Sequence, residues 1–138
     1  MANEATIKVR LDDPIDFTCA DGNGIEKGTL LKLSDPRTVE ASTATGEVFA
    51  GIAAREKIAN DGRTQIAVFR RGVFDLTLAT GSTCTAGELV ILSGANLIAS
   101  INDYAGGVAT AIASGYVVGK ALETGSSGET IEVEVGTI

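Results

Sequence analysis

One stretch of this chain occurs twice. Ile15 to Ser34 aligns without a gap on Phe74 to Ser93, at an offset of 59 residues. Asp16 meets Asp75, Thr18 meets Thr77, Ala20 meets Ala79 and Gly22 meets Gly81. Further on, Gly28 meets Gly87, Leu30 meets Leu89, Leu33 meets Leu92 and Ser34 meets Ser93. The likeness continues with small shifts. Val39 to Ser42 matches Leu97 to Ser100, Phe49 to Ala53 matches Val117 to Ala121, and Thr64 to Val68 resembles Glu129 to Val133. Reuse of short words by a β-rich chain would explain one match. Four matches in the same order point to an internal duplication. Two copies at so long a period do not make a solenoid. The expectation is a mostly β fold: two diverged β units, residues 14–72 and 73–138, sharing one core in a compact barrel- or sandwich-like domain.

Each unit offers about five strands, separated by turn signals such as Asp21-Gly22-Asn23-Gly24, Asn60-Asp61-Gly62 and Gly125-Ser126-Ser127-Gly128. In the first unit they lie near Ile15–Cys19, Thr29–Leu33, Val39–Ala41, Val48–Ala54 and Thr64–Phe69. In the second they lie near Val73–Leu78, Glu88–Leu92, Leu97–Ile101, Tyr116–Leu122 and Thr130–Val135. Ile66/Val68 and Ile131/Val133/Val135 alternate with polar residues, so those strands have one wet face. Val48–Ala54 and Tyr116–Leu122 are apolar on both faces and are expected to be central. The second unit carries an insertion at Asn102–Ala113. A short helix is read near 103–113, capped by Asp103 and carrying Tyr104, Val108 and Ile112. Gly106-Gly107 weakens it by roughly 1 kcal/mol per Gly.

Residues 1–13 form an N-terminal arm outside the repeat. Ile7, Val9 and Leu11 alternate with Lys8 and Arg10, a strand pattern with one apolar face that ends at Asp12-Asp13-Pro14. Such a strand pairs either with its own sheet or with an exposed edge of another chain.

Chemistry is hard to find. The chain has no His, which removes Ser-His and Cys-His nucleophiles and the commonest transition-metal ligand. Cys19 and Cys84 have no redox or zinc spacing and are expected to be buried, reduced thiols. Asp21-Gly22-Asn23-Gly24-Ile25-Glu26 begins like a calcium loop. It carries Ile25 at position 5, Glu26 where Gly belongs and Lys32 where the bidentate Glu belongs. No catalytic residue, cofactor or metal is assigned. Asp12, Asp13 and Asp16 read as a solvated bend around Pro14 in preference to a carboxylate pair. Arg70-Arg71, with Arg63 nearby, is the strongest basic patch. It is read as a strand end meeting an acidic neighbour, either the second unit or another protein chain.

Composition narrows the partners. Aromatic residues make up 4% of the chain and Trp is absent, which counts against sugar-stacking and base-stacking surfaces. The net charge is −7, and nucleic-acid binding draws most of its affinity from Lys and Arg on phosphate. Residues 1–71 carry ten Lys/Arg against eleven Asp/Glu, whereas 72–138 carry only Lys120 against seven acids. The halves therefore face different surroundings, or the acidic face serves solubility. The N-terminus lacks the pattern of a signal peptide, and no stretch approaches a membrane span. The expectation is a protein made in a cytoplasm, with no nucleic-acid or membrane partner.

Several segments resemble the head-decoration, or capsid cement, proteins of tailed bacteriophages. They are Val48-Phe49-Ala50-Gly51-Ile52-Ala53, Asp61-Gly62-Arg63-Thr64-Gln65-Ile66-Ala67-Val68, Arg71-Gly72-Val73-Phe74-Asp75-Leu76, Thr85-Ala86-Gly87-Glu88-Leu89-Val90 and Gly128-Glu129-Thr130-Ile131-Glu132-Val133. The resemblance covers roughly residues 20–138 and leaves the arm uncovered. It implies a non-catalytic virion protein, often a trimer, that binds the outer face of an expanded icosahedral shell and touches several major capsid subunits. On that reading the first unit and the arm face the capsid, with Ile7, Val9, Arg10, Arg70 and Arg71 as candidate partner-binding residues. The acidic unit faces solvent. The runner-up is a phage tail or fibre-attachment β module. An enzyme or small-ligand module would need a pocket that no residue announces.

Overall fold

Short β-branched runs punctuated by Gly leave each unit with five strands and no room for a large flat sheet, and each unit closes on itself. The computed structural model describes residues 2–137. Strand β1 is Thr6–Arg10. The first barrel comprises β2 (Ile15–Thr18), β3 (Leu30–Asp35), β4 (Thr38–Ala41), β5 (Phe49–Ala53) and β6 (Gln65–Phe69), in the order β2-β4-β3-β5-β6. The second comprises β7 (Gly72–Leu78), β8 (Leu89–Leu92), β9 (Leu97–Ser100), β10 (Val117–Ala121) and β11 (Thr130–Val135). Its sheet runs β7-β11-β10-β8-β9 and returns to β7, while β1 is added beside β7.

The duplication extends to single hydrogen-bonded pairs. Each barrel contains one parallel contact, β2 on β4 and β7 on β9, and the registers Thr18 to Thr38 and Thr77 to Leu97 are the same under the offset of 59. Leu31 faces Ala41 as Val90 faces Ser100, and Leu33 faces Val39 as Leu92 faces Ile98. Both barrels have a bulge at the same place, where Gly51 pairs with Leu31 and Gly119 pairs with Val90. A β-carbon on Gly51 would collide with the carbonyl oxygen of Phe69, and one on Gly119 with that of Glu134. Only glycine lets the neighbouring strand approach so closely.

Alternation sorts the side chains. Phe17, Leu31, Val39, Ala50, Ile66 and Val68 fill the first barrel. Phe74, Leu76, Leu78, Val90, Leu92, Ile131, Val133 and Val135 belong to the cluster of the second, and Leu30 and Ile52 reach that cluster from β3 and β5. In a closed barrel every strand is flanked on both sides, so being central does not explain why β5 and β10 are apolar on both faces. The outer residues of β5, Phe49 and Ile52, pack against the second barrel's cluster. Val117 of β10 packs against the insertion, where Ile91, Ile101 and Ala111 form a third cluster. Polar bonds also tie the barrels. The Leu30 N–H donates to Asn96 Oδ1 at 2.9 Å, Ser42 Oγ donates to the Gly94 carbonyl at 2.8 Å, and the Phe49 N–H donates to the Gly115 carbonyl at 3.1 Å.

The insertion differs in detail from its expectation. A short 3₁₀ turn, Ile101–Asp103, precedes helix α1, Val108–Ala113. The helix starts at Gly107, without a side-chain cap. Asp103 instead accepts a hydrogen bond from Ser82 Oγ at 2.8 Å. Gly106-Gly107 breaks the segment, so Tyr104 lies outside the helix and packs edge-on against Tyr116, with centroids 5.5 Å apart.

Candidate interaction surface

The turns and bends that sequence alone leaves ambiguous resolve into structural roles. Lys57 is buried, and its Nζ donates to Asp21 Oδ1 at 3.1 Å, Asp61 Oδ1 at 2.8 Å, and the carbonyls of Asp21 and Ile58 at 3.0 and 2.8 Å. The loop that begins like a calcium site is thus closed on a lysine ammonium. Desolvation opposes the charge on Lys57, but the hydrogen bonds to Asp61 and Asp21 outweigh it and raise its pKa. Among the described residues no three His, Cys, Asp or Glu side chains come together as a metal site. Cys19 and Cys84 are buried free thiols. Burial, aided by Glu88, pushes the Cys84 thiol up to about 11, and burial raises Cys19 as well. The groove beside this loop, about 370 Å³ and lined by Ala20, Ile25, Val39 and Glu40, brings no acid–base pair together.

The arm is the next candidate. Its strand β1 pairs antiparallel with β7, Thr6 facing Asp75 and Ile7 facing Phe74. The strict alternation of Ile7 and Val9 predicts one shared apolar face. A bulge at Lys8 breaks it, so that Val9 faces Val73 and Arg10 faces Gly72. Side chains directly opposite lie on one face. Ile7 therefore packs beside Phe74 on the core side, while Val9 joins Val73 on the outside and is 49% exposed. Lys8 sits 3.5 Å from Asp75 on that outer side. The bulge is what divides an apparently uniform stripe into one core residue and one surface residue.

Around the arm the arginines gather on aromatic rings. Arg10 lies 5.7 Å from the Phe69 centroid and pairs with Asp13 at 2.7 Å. Arg71 pairs with Asp12 at 3.4 Å, so the acidic neighbour of this strand end is the arm's own bend. Arg70 lies 5.8 Å from the Phe17 centroid and Arg37 lies 5.1 Å from the same centroid. Among the described residues neither Arg37 nor Arg70 has a carboxylate within salt-bridge distance. Arg63 does not belong to this group. It precedes β6 and Arg70 follows it, so the strand puts roughly 20 Å between them.

The structure thus brings Val9, Arg10, Arg70 and Arg71 to one region and sends Ile7 inward. It adds three residues that are not among those binding candidates: Leu11 and Ile15, each 44% exposed, and Arg37. Ile15 aligns with Phe74, which is 1% exposed beneath the arm. No alignment of the two units shows that only one of them has an arm to cover this position.

Comparison with known proteins bears on the fold and the family. The head fiber gp8.5 N base of bacteriophage phi29 has a similar fold, with a TM-score of 0.52 over 88% of this chain and 93% of that one, at 14% identity. No curated protein sequence matches the chain. The phage cement protein family matches residues 7–137, which takes in the arm strand that the segment-by-segment resemblance left outside. With both barrels and most of the arm strand inside that match, the chain belongs to the phage cement protein family, whose members are capsid-binding structural proteins.

Proposed function

We propose that this protein binds the outer surface of an expanded icosahedral capsid and stabilises it mechanically, without catalysis. The observation that carries this reading is the family match across residues 7–137. The partner is the major capsid protein, and the protein acts as a homotrimer on the virion after assembly in the host cytoplasm. A specific interface buries on the order of 1,600 Å², and many symmetric copies act together. The arm and the first barrel face the shell through Val9, Arg10, Arg70 and Arg71, with Ile7 anchoring the arm. The second barrel, with Lys120 against seven acids, faces solvent and keeps a densely coated particle soluble.

Co-sedimentation with expanded shells lacking this protein tests the reading. Saturable binding at the stoichiometry of three-fold sites is the expected result. Absence of binding by folded protein would overturn it and favour the alternative, a tail or fibre-attachment module. That alternative draws support from the fold shared with a head fiber base.

A further inference from the structure

The two barrels carry the same strand order, so a difference between them at matched positions calls for an explanation. The β3–β4 turn of the first barrel and the β8–β9 turn of the second both pass through the left-handed region, at Arg37 (φ 51°) and Asn96 (φ 58°). Asn tolerates that conformation, whereas a long side chain such as Arg seldom adopts it. Asn96 is spent inside the molecule: its Oδ1 accepts from the Leu30 N–H and its Nδ2 donates to the Ala2 carbonyl. Arg37 lies at the surface, its guanidinium against Phe17 and donating to the Asp16 carbonyl.

Asp16 matches Asp75, whose edge of the sheet is covered by Thr6 of the arm. In the first barrel no described strand takes the equivalent place beside β2, which pairs only with β4 and β6. That edge is closed to an added strand by other means. Pro14, which matches Val73, has no N–H to donate, and the Asp16 acceptor is already taken by Arg37. What remains uncovered is a set of side chains. Ile15 is 44% exposed where its counterpart Phe74 is buried. Beside it, Arg37 and Arg70 share one ring without a carboxylate partner among the described residues, in a chain with 18 acidic residues. Two neighbouring like charges left uncompensated favour any partner that supplies the opposite sign. Guanidiniums stacked on an aromatic face are already oriented for bidentate bonds to carboxylates.

We propose that this end of the first barrel, Arg37 and Arg70 flanking Phe17 beside exposed Ile15, is the surface that grips an acidic patch of the capsid protein. The proposal rests on the capsid-binding reading above and names the chemistry of its contact. The test is co-sedimentation with expanded shells across a salt series, comparing wild type, the double variant R37G/R70Q, and R63Q as a control at the far end of β6. Glycine accepts the backbone at position 37, so the double variant keeps its fold, checked by an unchanged or raised Tm. The expected result is a loss of about tenfold or more in affinity and a shallower salt dependence for the double variant only. Wild-type binding matched by the double variant, with the same salt slope, would overturn the arginine assignment and leave capsid binding standing. Failure of the wild type to bind would overturn both readings. Retention of the wild type on duplex DNA, abolished in the double variant, would overturn the carboxylate assignment in favour of phosphate.

Discussion

Lys57 Nζ lies 3.1 Å from Asp21 Oδ1, joining a lysine that follows β5 to the turn that follows β2. The same ammonium reaches Asp61 at 2.8 Å, and Asp61 Oδ1 in turn accepts from the Arg63 N–H. Asp21 Oδ1 also accepts from the Gly62 N–H at 2.8 Å. One buried cation thus organises three loop segments, as a metal ion does in other proteins. Removing the lysine leaves two neighbouring, partly exposed carboxylates without the cation that joins them. Lys57→Met, which keeps the apolar stem, is expected to lower the Tm by several degrees in thermal circular dichroism. Millimolar calcium is expected to leave the wild-type Tm unchanged. A calcium-dependent rise would show that the loop binds the metal after all.

Glu47 supplies the clearest dependence on pH. Its carboxylate accepts from the N–H groups of Thr43 and Ala44 at 2.8 and 3.0 Å and from Lys32 Nζ at 2.8 Å. Burial opposes ionisation, but these bonds prevail and bring its pKa down to about 2 from an ordinary 4.5. A depressed carboxylate stabilises the fold above its unfolded pKa and ceases to do so as pH falls through the folded value. Glu47→Gln is therefore expected to cost on the order of 2–3 kcal/mol at neutral pH. The gap to wild type should be constant above about pH 5 and shrink between pH 4.5 and 2. Urea melts of both proteins across that range check it. A gap unchanged down to pH 2 would remove the carboxylate from this role.

How far the sequence anticipates this molecule is best seen in the matched positions. The offset of 59 residues places β2 on β7, β3 on β8 and β4 on β9, and those pairs do coincide in register. Closure into barrels depends on parallel contacts as small as Thr18 with Thr38. No alternation pattern encodes a contact of that kind. The Lys8 bulge is equally silent, because a strand with an inserted residue reads the same as one without. Arg37 looks like any surface arginine until its left-handed backbone and its ring are known. Ile91 and Lys32 are aligned in the repeat, yet Ile91 is buried under the insertion and Lys32 pairs with Glu47. Barrel closure apart, each miss concerns what lies outside the barrel wall, which the internal pattern does not report.

Gly119 tests the closeness of the wall itself. Its missing β-carbon would meet the Glu134 carbonyl and the Val135 backbone, neither of which is a flexible side-chain end. Gly119→Ala must push β10 off β11 and is expected to cost about 2–4 kcal/mol. Gly62 has open space around it, so Gly62→Ala meets only the strain of its positive φ of 84°, about 1 kcal/mol. Chemical denaturation of the pair should separate them clearly. Equal costs would mean that the wall accommodates the added carbon at Gly119 without moving β10 off β11.

Ile7 and Val9 are two residues apart in one strand, and the bulge between them makes opposite predictions. Ile7 packs against the second barrel's core beside Phe74, so Ile7→Glu places a charge where apolar partners surround it. That change is expected to lower stability by about 2 kcal/mol or more. Val9 stands on the outer face, half exposed, with only Val73 opposite. Val9→Glu is expected to leave the Tm within a degree or two of wild type, while binding to expanded shells falls if the arm contacts the capsid. Deleting residues 1–11 confounds the two effects, because it uncovers Phe74 as well as removing Val9. The paired point variants separate them. A large loss of stability in Val9→Glu with none in Ile7→Glu would show that the strand lies in the other register, without the bulge.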